Sequence, residues 1–276
     1  MIVDAHVHFW DPQARHHTWL DDQPSLRRRF GPDDYHPGRH DVTAAVFVQA
    51  DCREDEALAE VRWVAGLAAR DPRIRGIVGY APLHLGARAR GALDAVADQP
   101  GVVGVRRLLQ DEPLSVLRDP DLAAGLRLLP DRGLTFDLCV RGHQLPTVAA
   151  LVAACPDVRF VLDHLGKPPV AAGELDPWRA DLTLLASYDN VVCKLSGLTT
   201  EAAPGWRPDD LRPYLDHALT VFGPHRCMVG SDWPVATLAT TIEGWFDIVG
   251  ETLAALSTAE RDAVLHGTAS SVYRLS

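Results

Sequence analysis

Eight short apolar runs recur along the chain, and each is followed by a segment whose apolar residues have helical spacing. The runs are rich in Val, Ile, Leu and Phe with little alternation, which is typical of strands buried on both faces. This alternation favours a single (β/α)8 barrel over residues 1–276. The runner-up, an open doubly wound sheet, usually has a glycine-rich first turn, which this chain lacks. We predict strands near residues 2–6, 44–50, 74–81, 102–107, 134–140, 158–163, 191–196 and 226–230.

The segments between the runs predict amphipathic helices. Asp71-Pro72 ends the first of them, because the residue before a proline disfavours the α region. Residues 11–41 form the longest stretch without a clear element, and we interpret it as a cover over the barrel mouth, although a simple surface loop fits as well. The predicted helices lie near residues 54–70, 87–98, 119–132, 145–155, 176–187, 208–222, 238–256 and 258–272.

The composition narrows the class of protein. A formal net charge of −10 argues against nucleic acid or an anionic membrane as the main partner. The five cysteines are odd in number and contain no C-x-x-C pair, so we expect reduced thiols in a cytoplasm rather than a disulfide framework. We also expect neither a signal peptide nor a membrane span, since no basic segment precedes an apolar run and no run reaches about 18 apolar residues.

The first run ends in two histidines, His6 and His8. Side chains at positions i and i+2 of a strand point to the same side, so both imidazoles leave the strand together. Such a pair suits a divalent transition metal or a polar substrate. On its own, the pair could equally lie on the solvent face of a hairpin.

Reactive side chains follow the other runs as well. Taken singly, each has a structural explanation: His164 as a core histidine, Asp232 as a helix cap and Lys194 as a buried ion-pair partner. Chemistry in barrels of this kind lies at the C-terminal ends of the strands, and unpaired buried ions cost several kcal/mol each, so the joint pattern favours a functional site. The strand-end residues are His6, His8, Gln49, Asp51, Arg106, Arg107, Arg141, His143, His164, Lys194 and Asp232.

Six stretches spread over the whole chain together resemble a known family. They are VDAHVHFW from Val3, GVRRLLQDE from Gly104, QLP from Gln144, VLDHLGKP from Val161, VVCKLSGLTTE from Val191 and MVGSDWPV from Met228. The chain resembles the amidohydrolase superfamily, in its amidohydrolase-2 branch of sugar-lactone hydrolases, and most of all the L-fuconolactonase group. The resemblance implies a distorted (β/α)8 barrel with His6, His8, His164 and Asp232 around the reaction centre.

The resemblance also implies a cofactor and a mechanism. One divalent ion, Zn²⁺ or similar, would lie on His6, His8 and Asp232, with His164 as a further ligand. No strand-four lysine is present that could be carboxylated, so a binuclear centre is not expected. Asp232 would act as general base. A metal-free version, in which histidines and an arginine polarise the carbonyl, uses the same residues.

Further residues are predicted to contact the substrate. Arg106 and Lys194 would orient the lactone or bind the developing oxyanion. Arg107 stands where the L-fuconolactonase group often has histidine, which would favour a substrate with a carboxylate. The remaining predicted substrate contacts are Trp10, Gln49, Arg141 and Trp233.

These observations predict a cytoplasmic hydrolase of a small-molecule sugar lactone such as L-fuconolactone or L-rhamnonolactone, with a homodimer as a possible assembly. A hydrolase of a carboxylated pyrone or muconolactone remains open. So does a metal-dependent decarboxylase of an aromatic acid, although the strand-seven stretch disfavours it. A non-catalytic sugar-acid binding protein is a further alternative.

Overall fold

The computed structural model describes residues 1–275. Eight strands form one sheet in chain order, and each pairs in parallel with the next. The predicted (β/α)8 barrel class is therefore confirmed. The strands are β1 (Ile2–Val7), β2 (Val42–Val48), β3 (Ile74–Gly79), β4 (Val102–Leu108), β5 (Thr135–Cys139), β6 (Phe160–Leu162), β7 (Val191–Leu195) and β8 (Cys227–Val229).

The barrel closes between its first strand and the segment just beyond its last. Val7 forms an isolated parallel bridge with Trp233. The amide of His8 donates to the carbonyl of Trp233 over 2.7 Å, and the amide of Asp232 donates to the carbonyl of His6 over 2.8 Å. The residues that close the barrel are therefore those predicted to carry the chemistry.

Helices alternate with the strands, as the periodicity predicts. The helix predicted at 119–132 is shorter, because Pro130 starts a separate turn, and a π-helical turn at Ala263–Gly267 divides the last helix. A four-residue helix near residue 114 is too short to show a period and was missed. The helices are α1 (Ala57–Ala68), α2 (Arg90–Ala97), α3 (Leu114–Leu117), α4 (Pro120–Leu126), α5 (Leu145–Ala154), α6 (Trp178–Ala186), α7 (Pro208–Phe222), α8 (Ile242–Thr252), α9 (Thr258–Asp262) and α10 (Thr268–Val272). None of the described helices is long and apolar enough to cross a membrane.

The segment at residues 11–41 contains three short 3-10 turns. Its backbone is tied to the end of β1, because Trp10 and Phe30 exchange two amide–carbonyl hydrogen bonds of 3.0 and 2.9 Å. Phe30 and Tyr35 both pack against the ring of Trp233. This segment therefore covers the junction between β1 and the loop after β8.

Candidate active site

A cavity of about 240 Å³ opens at the C-terminal ends of the strands. The segment at residues 11–41 contributes Trp19 to its wall, so that segment does reach the barrel mouth. Most of the other wall residues are charged or polar. They include His8, Asp51, Arg106, Gln110, Asp111, Cys139, His164, Lys167, Thr200 and Asp232.

Three imidazoles surround one carboxylate at the base of this cavity. The Nε2 atoms of His6 and His8 lie 3.1 Å apart. Oδ1 of Asp232 lies 3.4 Å from Nε2 of His8, 3.7 Å from Nε2 of His6 and 3.9 Å from Nε2 of His164. Residues from opposite ends of the chain therefore converge, as the strand-end pattern predicts.

The Nδ1 atoms of His8 and His164 each have a partner within hydrogen-bond distance. Nδ1 of His8 donates to the carbonyl of Val48 over 2.7 Å. Since a carbonyl can only accept, Nε2 of a neutral His8 carries a lone pair. Nδ1 of His164 lies 2.8 Å from the hydroxyl of Ser196, and this bond fixes the orientation of the ring. All three rings thus present Nε2 toward Asp232.

Burial and neighbouring charges set the protonation of these groups. Burial lowers the pKa of His164 to about 4 and lowers that of His6 well below its ordinary value. Burial opposes ionisation of Asp232, but the imidazoles of His164, His8 and His6 outweigh it and hold the pKa of this carboxyl below its ordinary value. At neutral pH the site therefore holds neutral His6 and His164 rings beside an ionised carboxylate.

This donor set fits a divalent cation. Nε2 of His6, Nε2 of His8 and a carboxylate oxygen of Asp232 all lie within 4.8 Å of one another, and imidazole and carboxylate groups are usual ligands of Zn²⁺. Ligand atoms around a tetrahedral Zn²⁺ stand about 3.3 Å apart, given metal–nitrogen distances near 2.0–2.1 Å. The separations of 3.1, 3.4 and 3.7 Å lie around that value. His6, His8 and Asp232 could therefore hold one metal ion, with His164 beside them.

Unusual backbone angles aim several of these side chains into the cavity. The φ angles of Asp51, His164, Lys167 and Asp232 are 57°, 54°, 48° and 59°. This left-handed region costs a non-glycine residue roughly 1 to 3 kcal/mol and is concentrated at functional sites. All four of these side chains line the cavity. Four of the six non-glycine residues with positive φ in the described chain therefore line the cavity, and the other two, Leu165 and Arg274, do not.

A buried network of ion pairs lies beneath the imidazoles. Nζ of Lys194 lies 2.6 Å from Asp137 and 3.0 Å from Asp163, and it also lies 3.3 Å from Nδ1 of His6. Nη1 of Arg106 lies 3.3 Å from Asp163. Two carboxylates and two cations therefore balance inside the barrel. Although burial opposes ionisation, Lys194, His6 and Arg106 hold the pKa of Asp163 well below its ordinary value.

A second set of ion pairs forms the rim of the cavity. Lys167 lies 3.3 Å from Glu201, and Arg141 lies 2.9 Å from Asp111. Glu201 also approaches Arg141 at 4.0 Å. Arg141, predicted to contact the substrate, is therefore located at the mouth, where Asp111 engages its guanidinium.

The aromatic residues predicted to line the pocket lie elsewhere. Trp10 is fully buried, and its Nε1 donates to the carbonyl of Leu26. Trp233 packs among Phe9, Phe30 and Tyr35. Neither ring lines the cavity, because both support the cover segment instead.

Three predicted polar contacts also lie outside the catalytic cavity. Lys194 is fully buried among the ion pairs and does not line the cavity wall. Gln49 and Arg107 line a separate, smaller cavity behind the first. The amide of Asp51 donates to Oε1 of Gln49 over 2.6 Å, and Arg107 is engaged by His84 and Glu112 at 2.7 Å each. Both terminal nitrogens of Arg107 are therefore engaged by residues of this chain, and only its buried Nε has no hydrogen-bond partner within the described residues.

Sequence reasoning did not single out four residues that line the cavity or support its residues. Asp163 directly precedes His164 and follows β6, so the strand-end rule could have identified it. Lys167 follows in the same loop. Asp137 was detectable as the single charge inside the apolar run of β5. Ser196 carried no signal, because an isolated serine after a strand is common.

Comparisons with known proteins agree with this geometry. Residues 3–275 match the amidohydrolase family. The chain is 38% identical to an L-fucono-1,5-lactonase from Burkholderia multivorans, over 99% of this chain and 96% of that protein. It is 27% identical to a 4-sulfomuconolactone hydrolase from Rhizobium radiobacter, over 84% of this chain and 75% of that protein. A crystal structure of an amidohydrolase from Burkholderia multivorans with bound zinc superposes with a TM-score of 0.89 at 37% identity, with both chains fully covered.

Proposed function

The chain belongs to the amidohydrolase family and is a hydrolase of cyclic esters; we propose that its substrate is an aldonolactone of the L-fuconolactone type. The observation that carries this proposal is the Asp232 carboxylate, which lies within 3.9 Å of three imidazole nitrogens at the base of a cavity. The whole-length similarity to an L-fucono-1,5-lactonase supports the choice of substrate.

Opening a lactone requires a polarised carbonyl, an activated water and a protonated leaving oxygen. One divalent ion on His6, His8 and Asp232, with His164 beside them, would supply a Lewis acid for the first two requirements. The zinc found in the related amidohydrolase structure supports zinc as that ion. The fixed Nδ1 partners of the three rings keep the donor atoms in place before any substrate arrives.

Asp232 is the proposed general base. Its carboxylate lines the cavity and stays ionised at neutral pH, so it can accept a proton from the attacking water. The same carboxyl then returns the proton to the ring oxygen as the ester bond breaks. One residue therefore serves both halves of the reaction.

Arg106 is the proposed oxyanion donor. It lines the cavity, and its buried Nε has no hydrogen-bond partner within the described residues. A buried donor without a partner is costly unless a substrate oxygen satisfies it. A well-placed donor of this kind contributes roughly 3 kcal/mol to transition-state stabilisation.

Lys194 is proposed to position the site rather than to contact the substrate. Together with Asp163 it surrounds Nδ1 of His6, at 3.3 Å in each case. Lys194 and Arg106 each lie beside an oxygen of Asp163. A second metal ion would need these oxygens as ligands. This arrangement supports one ion per chain.

A metal-free version of the mechanism has one observation in its favour. Nη1 of Arg106 lies 3.4 Å from Nε2 of His6. The guanidinium could therefore polarise the carbonyl beside the imidazoles. The two versions share Asp232 as the base and differ only in the electrophile.

The decisive experiment is a pH-indicator screen over aldonolactones, with metal analysis of the same preparation. We expect acid release from L-fuconolactone, about one zinc per chain, loss of activity after chelation and recovery with added zinc. The Asp232→Asn variant serves as the control for spontaneous hydrolysis. Full activity of the metal-depleted protein would select the metal-free version. Acid release no faster than that control, with CO₂ release from hydroxybenzoates instead, would overturn the lactonase proposal.

A further inference from the structure

We propose that Asp51, together with the Lys167–Glu201 ion pair, selects an uncharged, hydroxyl-rich lactone and rejects lactones that carry a carboxylate or a sulfonate. This inference rests on the proposed function and adds the residues that set its specificity.

Each cation of the cavity wall has a carboxylate of this chain beside it, and Arg106 keeps only its Nε, the nitrogen assigned above to the lactone oxygen, without a partner. Arg106 lies 3.3 Å from Asp163, and Lys167 lies 3.3 Å from Glu201. Both cations line the cavity, yet each has a carboxylate of this chain beside it. An anionic group on a substrate would therefore have to displace an internal partner, and it would gain little by doing so.

Asp51 differs from these residues. Asp51 lines this cavity and also the smaller one, and within residues 1–275 no lysine, arginine or histidine nitrogen lies within 4.0 Å of its carboxylate. No hydrogen bond to this carboxylate is formed by the described residues either. Carboxylate oxygens only accept hydrogen bonds, and the hydroxyls of a sugar ring are ready donors. Asp51 is therefore suited to bind ring hydroxyls and to repel an anion.

The backbone supports the same assignment. Asp51 and Lys167 share the left-handed φ of His164 and Asp232, which lie at the reaction centre. The chain tolerates the strain at positions whose side chains enter the cavity, which is where strain of this kind is expected to serve function.

Glu201 determines whether the ammonium of Lys167 is free to bind an anionic group of a substrate. It lies 3.3 Å from Lys167 and 4.0 Å from Arg141, so it neutralises a cation on either side. Replacing Glu201 with glutamine would leave Lys167 as an unpaired ammonium in the cavity wall. Such a group would attract an anionic substituent.

The test uses lactones that differ only at the terminal carbon: L-fuconolactone, L-galactonolactone and galactarolactone carry methyl, hydroxymethyl and carboxylate there. For the wild type we expect kcat/KM on either neutral lactone to exceed that on galactarolactone by at least about 100-fold. In Asp51→Asn, KM for the neutral lactones should rise roughly tenfold while kcat changes less than about threefold. Asparagine tolerates positive φ, so the backbone should be preserved.

Two further variants complete the design. Asp55→Asn removes one charge from the same loop, outside the cavity, and should behave as wild type. Glu201→Gln should raise kcat/KM on galactarolactone at least about tenfold relative to the neutral lactones. Wild-type enzyme that is inactive on all three lactones would overturn the proposed function. Wild-type activity that treats neutral and anionic lactones alike, or variants that match Asp55→Asn, would overturn this inference alone.

Discussion

Arg106 and Arg107 are neighbours on β4, but their side chains enter two regions of opposite character. The inner cluster, which consists of Arg106, Asp137, Asp163 and Lys194, is buried inside the barrel, and its members form ion pairs with one another. The outer cluster consists of Arg107, Tyr80, His84 and Glu112 and lies partly exposed behind the catalytic cavity. Consecutive residues of a strand point to opposite faces, so one position decides which region an arginine joins.

The two clusters differ in the free energy that is lost when one partner of an ion pair is removed. In the inner cluster a lost partner leaves an ion that water cannot reach, and the cost is several kcal/mol. In the outer cluster water can replace the lost partner, so an ion pair contributes about 1 kcal/mol or less. Both clusters are rich in charge, but the inner one contacts the imidazole of His6, one of the proposed metal ligands.

The largest effect is expected at Asp232, which lies beside His6 next to the inner cluster. Asp232→Asn should lower kcat by at least about 1000-fold, equivalent to about 4 kcal/mol, because the amide cannot accept the proton. Steady-state kinetics and circular dichroism would show a folded, inactive protein. Glu112→Gln, in the outer cluster, should stay within about threefold of wild type. Retention of more than about a tenth of the wild-type rate by Asp232→Asn would exclude Asp232 as the base.

Stability gives the next contrast. Lys194→Met should lower the free energy of unfolding by about 3 to 5 kcal/mol, because Asp137 and Asp163 are left as adjacent buried carboxylates. Arg107→Met should lower it by about 1 kcal/mol. Urea denaturation measures both. The double variant Lys194→Met with Asp137→Asn should recover part of the loss, and equal losses for the two single variants would contradict the comparison.

The two arginines can also be compared directly through catalysis. Arg106→Lys should lower kcat/KM about 30-fold, or about 2 kcal/mol, because an ammonium cannot reproduce the fork of guanidinium donors. Arg107→Lys should change kcat/KM less than about threefold. A larger loss for Arg107→Lys would show that the outer cluster takes part in substrate binding.

The smallest effect concerns a buried carboxyl in neither cluster. Glu60 accepts a hydrogen bond from the amide of Ala50, and burial raises its pKa from 4.5 to about 7. The folded state therefore binds this proton more tightly than the unfolded chain does, so the resulting stability is complete below about pH 4.5 and is lost as the pH rises through 7. Relative to wild type, Glu60→Gln should become more stable between pH 5 and pH 8, by on the order of 1 kcal/mol. Parallel stability curves for the two proteins would contradict this assignment.

The strand-end pattern made much of this structure predictable. His6, His8, His164 and Asp232 each follow an apolar run closely, and parallel strands of a closed barrel bring their C-terminal ends to one edge. The fold class follows from the same alternation of runs and helices. These inferences depend only on the order of elements, which sequence patterns report well.

Other placements depend on geometry that the pattern does not contain. Successive residues of β4 point to opposite faces, and this decides which of Arg106 and Arg107 joins the inner cluster. The sequence pattern does not show the choice, because both residues are arginine. Lys194 lies within β7, whereas His164 follows β6, and its depth along the barrel axis, which is set by the stagger of the strands, places it below the imidazoles. Trp10 could have lined a pocket or a core, and the unpredicted path of the cover segment put it in the core.

The closure of the barrel determines when the site can assemble during synthesis of the chain. The carbonyl of His6 and the amide of Asp232 meet only when the beginning and the end of the polypeptide have both been made. A growing chain on the ribosome therefore carries His6 and His8 early, but it cannot assemble the site until β8 and Asp232 have emerged. Assembly of the candidate site therefore requires synthesis of the chain at least as far as Asp232.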